Sequence, residues 1–152
     1  MKKTMIAIAL MALTGAAIAN SNVPLTGGTV NPHGLLQIKL TPLYEGQYNV
    51  SCVVNATPFK ANDKPIVRAF AQATNPGPNN ASVGIGSTYA TGELQAALPK
   101  QNATIKFLNV SKGEFGQDYL GIANMDNTAV LNVQSCVATA LSQQGAHPFP
   151  TA

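Results

Sequence analysis

YNVSCVV at residues 48–54 and VLNVQSCV at residues 130–137 are the two stretches of sequence that decide the fold. Each stretch is rich in β-branched residues, which favour strands, and each contains one of the two cysteines of the chain, Cys52 or Cys136. In an exported protein an even number of cysteines indicates disulfide bonding, and two cysteines permit only one intramolecular pair. The sequence therefore predicts two strands, one early and one late in the chain, that are joined by a Cys52–Cys136 disulfide.

The N-terminal residues have the three parts of a secretory signal peptide. Lys2 and Lys3 form a positively charged start, residues 5–13 are apolar, and Ala17-Ile18-Ala19 is a cleavage site of the small-x-small type. We therefore predict a signal peptide over residues 1–19, and the alternative is an amphipathic or buried first helix. The apolar run is shorter than the roughly 20 residues of a transmembrane helix. We expect the mature chain to be periplasmic or extracellular, without insertion into the membrane.

The composition restricts the class of partner. Cleavage after residue 19 would remove two lysines and leave seven Lys and Arg against six Asp and Glu, a net charge of +1. Nucleic acids and anionic membranes require clustered basic charge, so neither is an expected partner. Charged residues are only 10% of the chain, compared with about 25% in typical globular proteins. A surface of neutral polar groups resists association less than a charged surface does, so contacts with a protein partner or with a second copy are plausible.

The hydrophobic pattern predicts seven or eight short strands within a single sandwich domain, residues 35–141. The segments are 36–40, 48–54, 66–73, 82–89, 103–110, 119–124 and 128–141, whereas the spacing of apolar residues in 93–98 slightly favours a single helical turn over a strand. Short strands separated by frequent Pro, Gly and Asn turns are typical of an all-β fold. We predict an antiparallel β-sandwich of immunoglobulin-like architecture, although the chain has no Trp to pack against the disulfide.

The two ends of the mature chain have a different composition from the sandwich domain. Residues 20–34 contain two prolines and three glycines, which indicates an extended or loose N-terminal arm. Residues 142–152 are polar and end in Pro-Phe-Pro-Thr-Ala, which indicates a flexible C-terminal tail.

The position of Cys136 conflicts with a regular last strand. Strict alternation would place it on the same face as Asn132 and Gln134, a poor face for a core. A β-bulge near Gln134 and Ser135 would turn Cys136 inward. Alternatively, the disulfide lies at the edge of the core, and the sequence leaves both arrangements open.

Residues that could carry chemistry are few and scattered. His33 lies in the N-terminal arm and His147 in the tail, and neither belongs to a metal-binding motif. The carboxylates are also dispersed, and Asp126 is typical of a turn residue that caps backbone amides; they are Glu45, Asp63, Glu93, Glu114, Asp118 and Asp126. We therefore predict no catalytic residues, no metal site and no cofactor, and we expect that the protein is not an enzyme.

Two functional hypotheses follow from these patterns. The first is an exported, non-enzymatic β-sandwich protein that acts through protein–protein contacts, for which an exposed sheet edge is a natural docking site. The alternative is a small-ligand or carbohydrate-binding module of the bacterial envelope. An aromatic-lined cleft in the structure would favour the alternative, whereas a smooth, convex surface with every tyrosine buried would count against it.

We predict that the exported protein begins at Asn20, because signal peptidases cleave after a small-x-small sequence. N-terminal sequencing or intact-mass measurement of protein from the periplasm or the culture fluid tests this. A chain that retains Lys2 and Lys3 and stays in the cytosol would contradict it.

Overall fold

The computed structural model describes residues 22–72, 81–113 and 118–143, with side chains up to residue 141. The predicted signal peptide lies outside these residues, as do residues 144–152 of the predicted tail. None of the described residues is helical, so this part of the chain contains no helix that could span a membrane.

Eleven strands form two antiparallel sheets. The large sheet has seven strands in the order β1-β11-β4-β9-β6-β7, and β2 also pairs with β11. Its strands are β1 (Asn22–Leu25), β2 (Gly28–Val30), β4 (Gly46–Thr57), β6 (Ser82–Ile85), β7 (Thr88–Thr91), β9 (Asn102–Lys112) and β11 (Val130–Gln143). The small sheet has four strands in the order β3-β10-β5-β8, namely β3 (Leu35–Lys39), β5 (Ile66–Gln72), β8 (Glu93–Ala97) and β10 (Tyr119–Asn124).

The inner faces of the two sheets share one hydrophobic core. From β2 onwards the chain passes back and forth between the sheets, and only β6 and β7 follow each other within one sheet. In β4 every second side chain is buried from Tyr48 onwards, because successive residues of a strand point to opposite faces; the buried residues are Tyr48, Val50, Cys52, Val54 and Ala56. The sequence-based prediction of an all-β fold with antiparallel sheets is confirmed.

The predicted number of strands was too low. The segment 82–89 is a hairpin of β6 and β7 that turns at Gly86, whose φ of 66° suits glycine. The slight preference for a helical turn at residues 93–98 was wrong, because Glu93–Ala97 pairs with β5 as the edge strand β8. Tertiary pairing decides the conformation of so short a segment.

Part of the predicted N-terminal arm belongs to the large sheet. Residues 22–25 and 28–30 are extended, and both segments pair with β11. Leu25 and Val30 enter the core from this position. At the other end of the domain, residues 142 and 143 continue β11.

The disulfide lies inside the large sheet. Cys52 and Cys136 are directly opposite each other on β4 and β11, with their Cα atoms 4.1 Å apart, and both are buried. The register shifts between Val133 and Ser135, so Gln134 is the extra residue of a β-bulge that turns Cys136 inward. The bulge alternative is thus correct, and the alternative at the edge of the core is wrong. The immunoglobulin disulfide, by contrast, joins two sheets.

A second bulge changes the face of β9. Regular alternation would place Asn109 on the buried face with Ile105 and Phe107, but Leu108 and Asn109 together lie opposite Asn49 of β4. Asn109 has a φ of 56° and is exposed, and its backbone N–H donates to Oδ1 of Asn49 at 3.1 Å. Asparagine is among the residues that tolerate this left-handed conformation. The bulge therefore keeps the polar side chain outside and brings Val110 into the core.

Asn124 and Asp126 fix the connection between β10 and β11. The fully buried Asn124 donates from Nδ2 to the carbonyl oxygens of Val30 and Ala129, and thereby links the two sheets. The Asp126 carboxylate accepts from the backbone N–H groups of Ala129 and Thr128, at 2.7 and 2.8 Å. These bonds lower the pKa of Asp126. This is the turn-capping role that the sequence predicts for Asp126.

Replacement of both cysteines (Cys52→Ala/Cys136→Ala) should reduce the free energy of unfolding by about 2–5 kcal/mol, because the bond closes a long loop in the unfolded chain. The sequence separation is 84 residues. Denaturant titration under non-reducing conditions measures the change. The matched control is Ser51→Ala/Ser135→Ala, at neighbouring positions of the same two strands that face outward, for which we expect a change within about 0.5 kcal/mol. A similar small change in the cysteine variant would contradict the prediction.

Candidate functional site

The described carboxylates from the sequence analysis have separate structural settings. Asp118 is buried beside Lys112, whose Nζ lies 3.7 Å from Oδ2 of Asp118 and donates to the carbonyl oxygen of Gly113 at 3.0 Å. Glu93 pairs with Arg68 on the outside of the small sheet, and Asp126 caps its turn. The two remaining described carboxylates, Glu45 and Asp63, lie in the segments that flank β4.

The other singled-out residues are not brought together into a metal site. His33 lies in the turn between β2 and β3, and Glu114 and His147 lie outside the described residues. In the described ranges no three His, Cys, Asp or Glu side chains are placed so that they could share a metal ion.

The outer face of the small sheet carries an aromatic ring that lies across a glycine. Phe70 of β5 is the register partner of Gly121 in the neighbouring strand β10. A Cβ atom at position 121 would overlap ring carbons Cζ, Cε1 and Cε2 of Phe70, so the ring rests with one face on the backbone of Gly121. The glycine thus allows an aromatic ring to lie flat on the sheet.

Neighbouring side chains hold the Phe70 ring in place. Tyr119 packs edge-on against it, with ring centroids 6.3 Å apart and an interplanar angle of 76°, and the Tyr119 hydroxyl donates to Oε1 of Gln72 at 2.6 Å. The Arg68 guanidinium lies over the Phe70 ring, with its Cζ 5.5 Å from the ring centroid. We call these four residues together with Glu93 the Phe70 platform.

Arg68 and Glu93 form a two-pronged ion pair at the border of the platform. Nε and Nη2 of Arg68 donate to Oε1 and Oε2 of Glu93 at 2.6 and 3.0 Å. The hydrogen bonds raise the pKa of Arg68 and lower the pKa of Glu93. Both groups are therefore charged at neutral pH, and their charges offset each other.

A cleft lies beside β3, an edge strand of the small sheet. Its volume is about 340 Å³, and it runs between the β1–β2 turn at Gly27 and the side chains of Leu36, Gln37 and Lys39. A volume of this order is at the lower end of the range for small-molecule sites, roughly 300–1,000 Å³. Gln37 connects the cleft with the platform, because it is the other register partner of Gly121.

The outer face of the large sheet has a different character. Lys106 is the only charged side chain among the described residues that point outward from its strands. Most of the others are Asn, Ser and Thr, and the Asn55 amide donates to Oδ1 of Asn102 on the next strand at 2.6 Å. Exposed apolar and aromatic side chains are interspersed; they are Val53, Val137, Leu141 and Tyr89.

Comparisons with protein-family models, with curated proteins and with solved structures found no match to this chain. The surfaces described above are therefore the basis for a functional assignment.

The Phe70 platform was not predicted from the sequence. The available signal was Gly121, a glycine between Leu120 and Ile122 inside a strand, because such a glycine often marks a close approach of another group. The identity of that group depends on the β5–β10 register, which cannot be read from either strand alone.

Gly121→Ala should destabilise the protein by about 1–3 kcal/mol, because the new methyl group displaces the Phe70 ring. In a Phe70→Ala background the same substitution should destabilise the protein much less. The overlapping ring is then absent, and alanine is more favourable than glycine inside a strand. Denaturant titrations of the four proteins give the coupling energy.

The matched control is Gly84, which Tyr89 covers on the large sheet. A Cβ atom there would also overlap the backbone carbonyl oxygen of Thr88. Gly84→Ala should therefore remain destabilising when Tyr89 is replaced by Ala. Equal behaviour of the two glycine pairs would contradict the proposed contact between Phe70 and Gly121.

Proposed function

We propose that the protein is exported to the periplasm or beyond and acts there as a non-enzymatic β-sandwich protein through contacts with another protein. The features of residues 1–19 support export, and a buried disulfide is compatible with an oxidising compartment. The observation that carries the proposed contact is the nearly uncharged outer face of the large sheet.

This outer face shares one feature with the centres of protein interfaces. Charged residues are depleted at such centres, because burial of an unpaired charge is costly. Here a single lysine accompanies the exposed Val53, Val137 and Tyr89. Burial of a neutral amide or hydroxyl costs less free energy than burial of a charge. These groups can also form hydrogen bonds with a partner.

The edge strand β7 lies at one side of this surface and offers an edge for strand addition that is unpaired in the described part of the chain. β7 pairs with β6 and with no other strand of the described ranges. Its outward Tyr89 is 45% exposed. The opposite edge is less suitable, because Pro24 in β1 has no backbone N–H to donate. A partner that docks on the large sheet can therefore also pair with β7.

Site-specific photo-crosslinking in the native host tests this proposal. A benzoylphenylalanine residue at position 137 should give an adduct of discrete mass with one protein, whereas the same residue at the exposed position 97 of the small sheet should not. A Val53→Lys variant should reduce the adduct from position 137 roughly tenfold, if the charge costs about 1.4 kcal/mol of binding. Absence of an adduct, or equal adducts from both positions, would overturn the proposal.

A further inference from the structure

We propose that the Phe70 platform binds a neutral carbohydrate, with one sugar ring stacked on Phe70. This site lies on the small sheet and is separate from the protein contact proposed for the large sheet. The first reason is the orientation of the ring. One face of the half-buried Phe70 ring rests on Gly121, so the opposite face is directed away from the sheet. The Arg68 guanidinium lies over the ring with its Cζ 5.5 Å from the centroid, so a sugar on this face would lie beside Arg68. The C–H groups on one side of a sugar ring form an apolar surface that complements such an aromatic face.

The second reason is the set of polar side chains around the ring. Tyr119, which packs against Phe70, donates its hydroxyl hydrogen to Oε1 of Gln72. The NH₂ group of the Gln72 amide is left as a donor. Gln95 is the register partner of Arg68, and Gln37 is the register partner of Gly121. All three glutamines are exposed. An amide both donates and accepts hydrogen bonds, as does a sugar hydroxyl, so amides are suited to bind the rim of a stacked sugar.

The third reason concerns charge and determines the class of sugar. Arg68 and Glu93 offset each other in their ion pair, and they hold each other in a fixed geometry. Lys39, the register partner of Tyr119, is the one further charged side chain among the described outward residues of the small sheet. A polyanionic glycan or a phosphate would require several converging cations. The platform is therefore suited to a neutral sugar.

The platform also has room for more than one sugar unit. Gln37 borders both the platform and the cleft beside β3, which is bounded by Leu36 and Lys39. A linear oligosaccharide on Phe70 can extend across β10 and β3 towards this cleft. Because the site is shallow and stacks on a single ring, we expect a dissociation constant on the order of 1 mM.

Titrations of the ¹⁵N-labelled protein with neutral tetrasaccharides test the inference by NMR. The probes are cellotetraose, maltotetraose, xylotetraose and the tetramer of N-acetylglucosamine, with tetragalacturonate as an acidic comparison. At least one neutral probe should give saturable shifts of the backbone amides of residues 70–72 and 119–121. The acidic probe should bind at least about tenfold more weakly.

Matched aromatic variants separate stacking from general effects. Phe70→Leu keeps an apolar side chain but removes the ring, and it should weaken binding about tenfold or more. Phe70→Tyr should retain binding. The control is Tyr89→Leu, which removes the other aromatic ring that covers a glycine, on the large sheet, and should leave sugar binding unchanged.

Three results would overturn the inference. They are the absence of saturable shifts with every neutral probe, binding that survives Phe70→Leu, and shifts that map to residues 53, 89 and 137 instead. Each of these results is independent of the crosslinking at position 137, so failure of the sugar site and failure of the protein contact can be told apart.

Discussion

The long ladder between β4 and β11 is the constraint on which the rest of the structure depends. It runs from the pair Thr57–Val130 to the pair Gly46–Gln143, and the Cys52–Cys136 disulfide lies in its middle. β1 and β2 add to β11 on one side, and β9, β6 and β7 follow from β4 on the other. The ladder joins segments that are far apart in sequence, so its formation has a large loop-closure cost that the covalent bond removes from the unfolded state.

The bulge at Gln134 reconciles this ladder with the hydrophobic core. Before the bulge, Leu131 and Val133 point inward, and after it Cys136 and Ala138 do. Without the extra residue, every inward side chain beyond Val133 would change face, because the side-chain period of a strand is two. The bulge in β9 acts in the same way for Val110. These two bulges therefore allow long strands to keep a continuous apolar interior, and a third register shift, between Ala140 and Ser142, lies near the end of β11.

The sequence was sufficient to predict features that depend on local alternation, but not features that depend on pairing. The buried face of residues 48–54 follows from the alternation itself, and the conflict at Cys136 pointed to a bulge. The strand at 93–97 did not follow, because its conformation comes from β5, and β1 tolerates Pro24 only because it is an edge strand. The platform is the extreme case, since it requires Phe70 and Gly121, 51 positions apart in sequence, to be in register.

The division of charge between the two outer faces gives the sandwich two distinct surfaces. The outward side chains of the small sheet include Arg68, Glu93 and Lys39, whereas Lys106 is the one charged side chain among the described outward residues of the large sheet. Packed sheets lie about 10 Å apart with their outer faces on opposite sides, so a ligand on one face does not obstruct the other. A protein contact on the large sheet would thus leave Phe70 accessible. Because the core between the two faces contains the buried disulfide and many fully buried side chains, we expect that a ligand on one surface would not require reorganisation of the other.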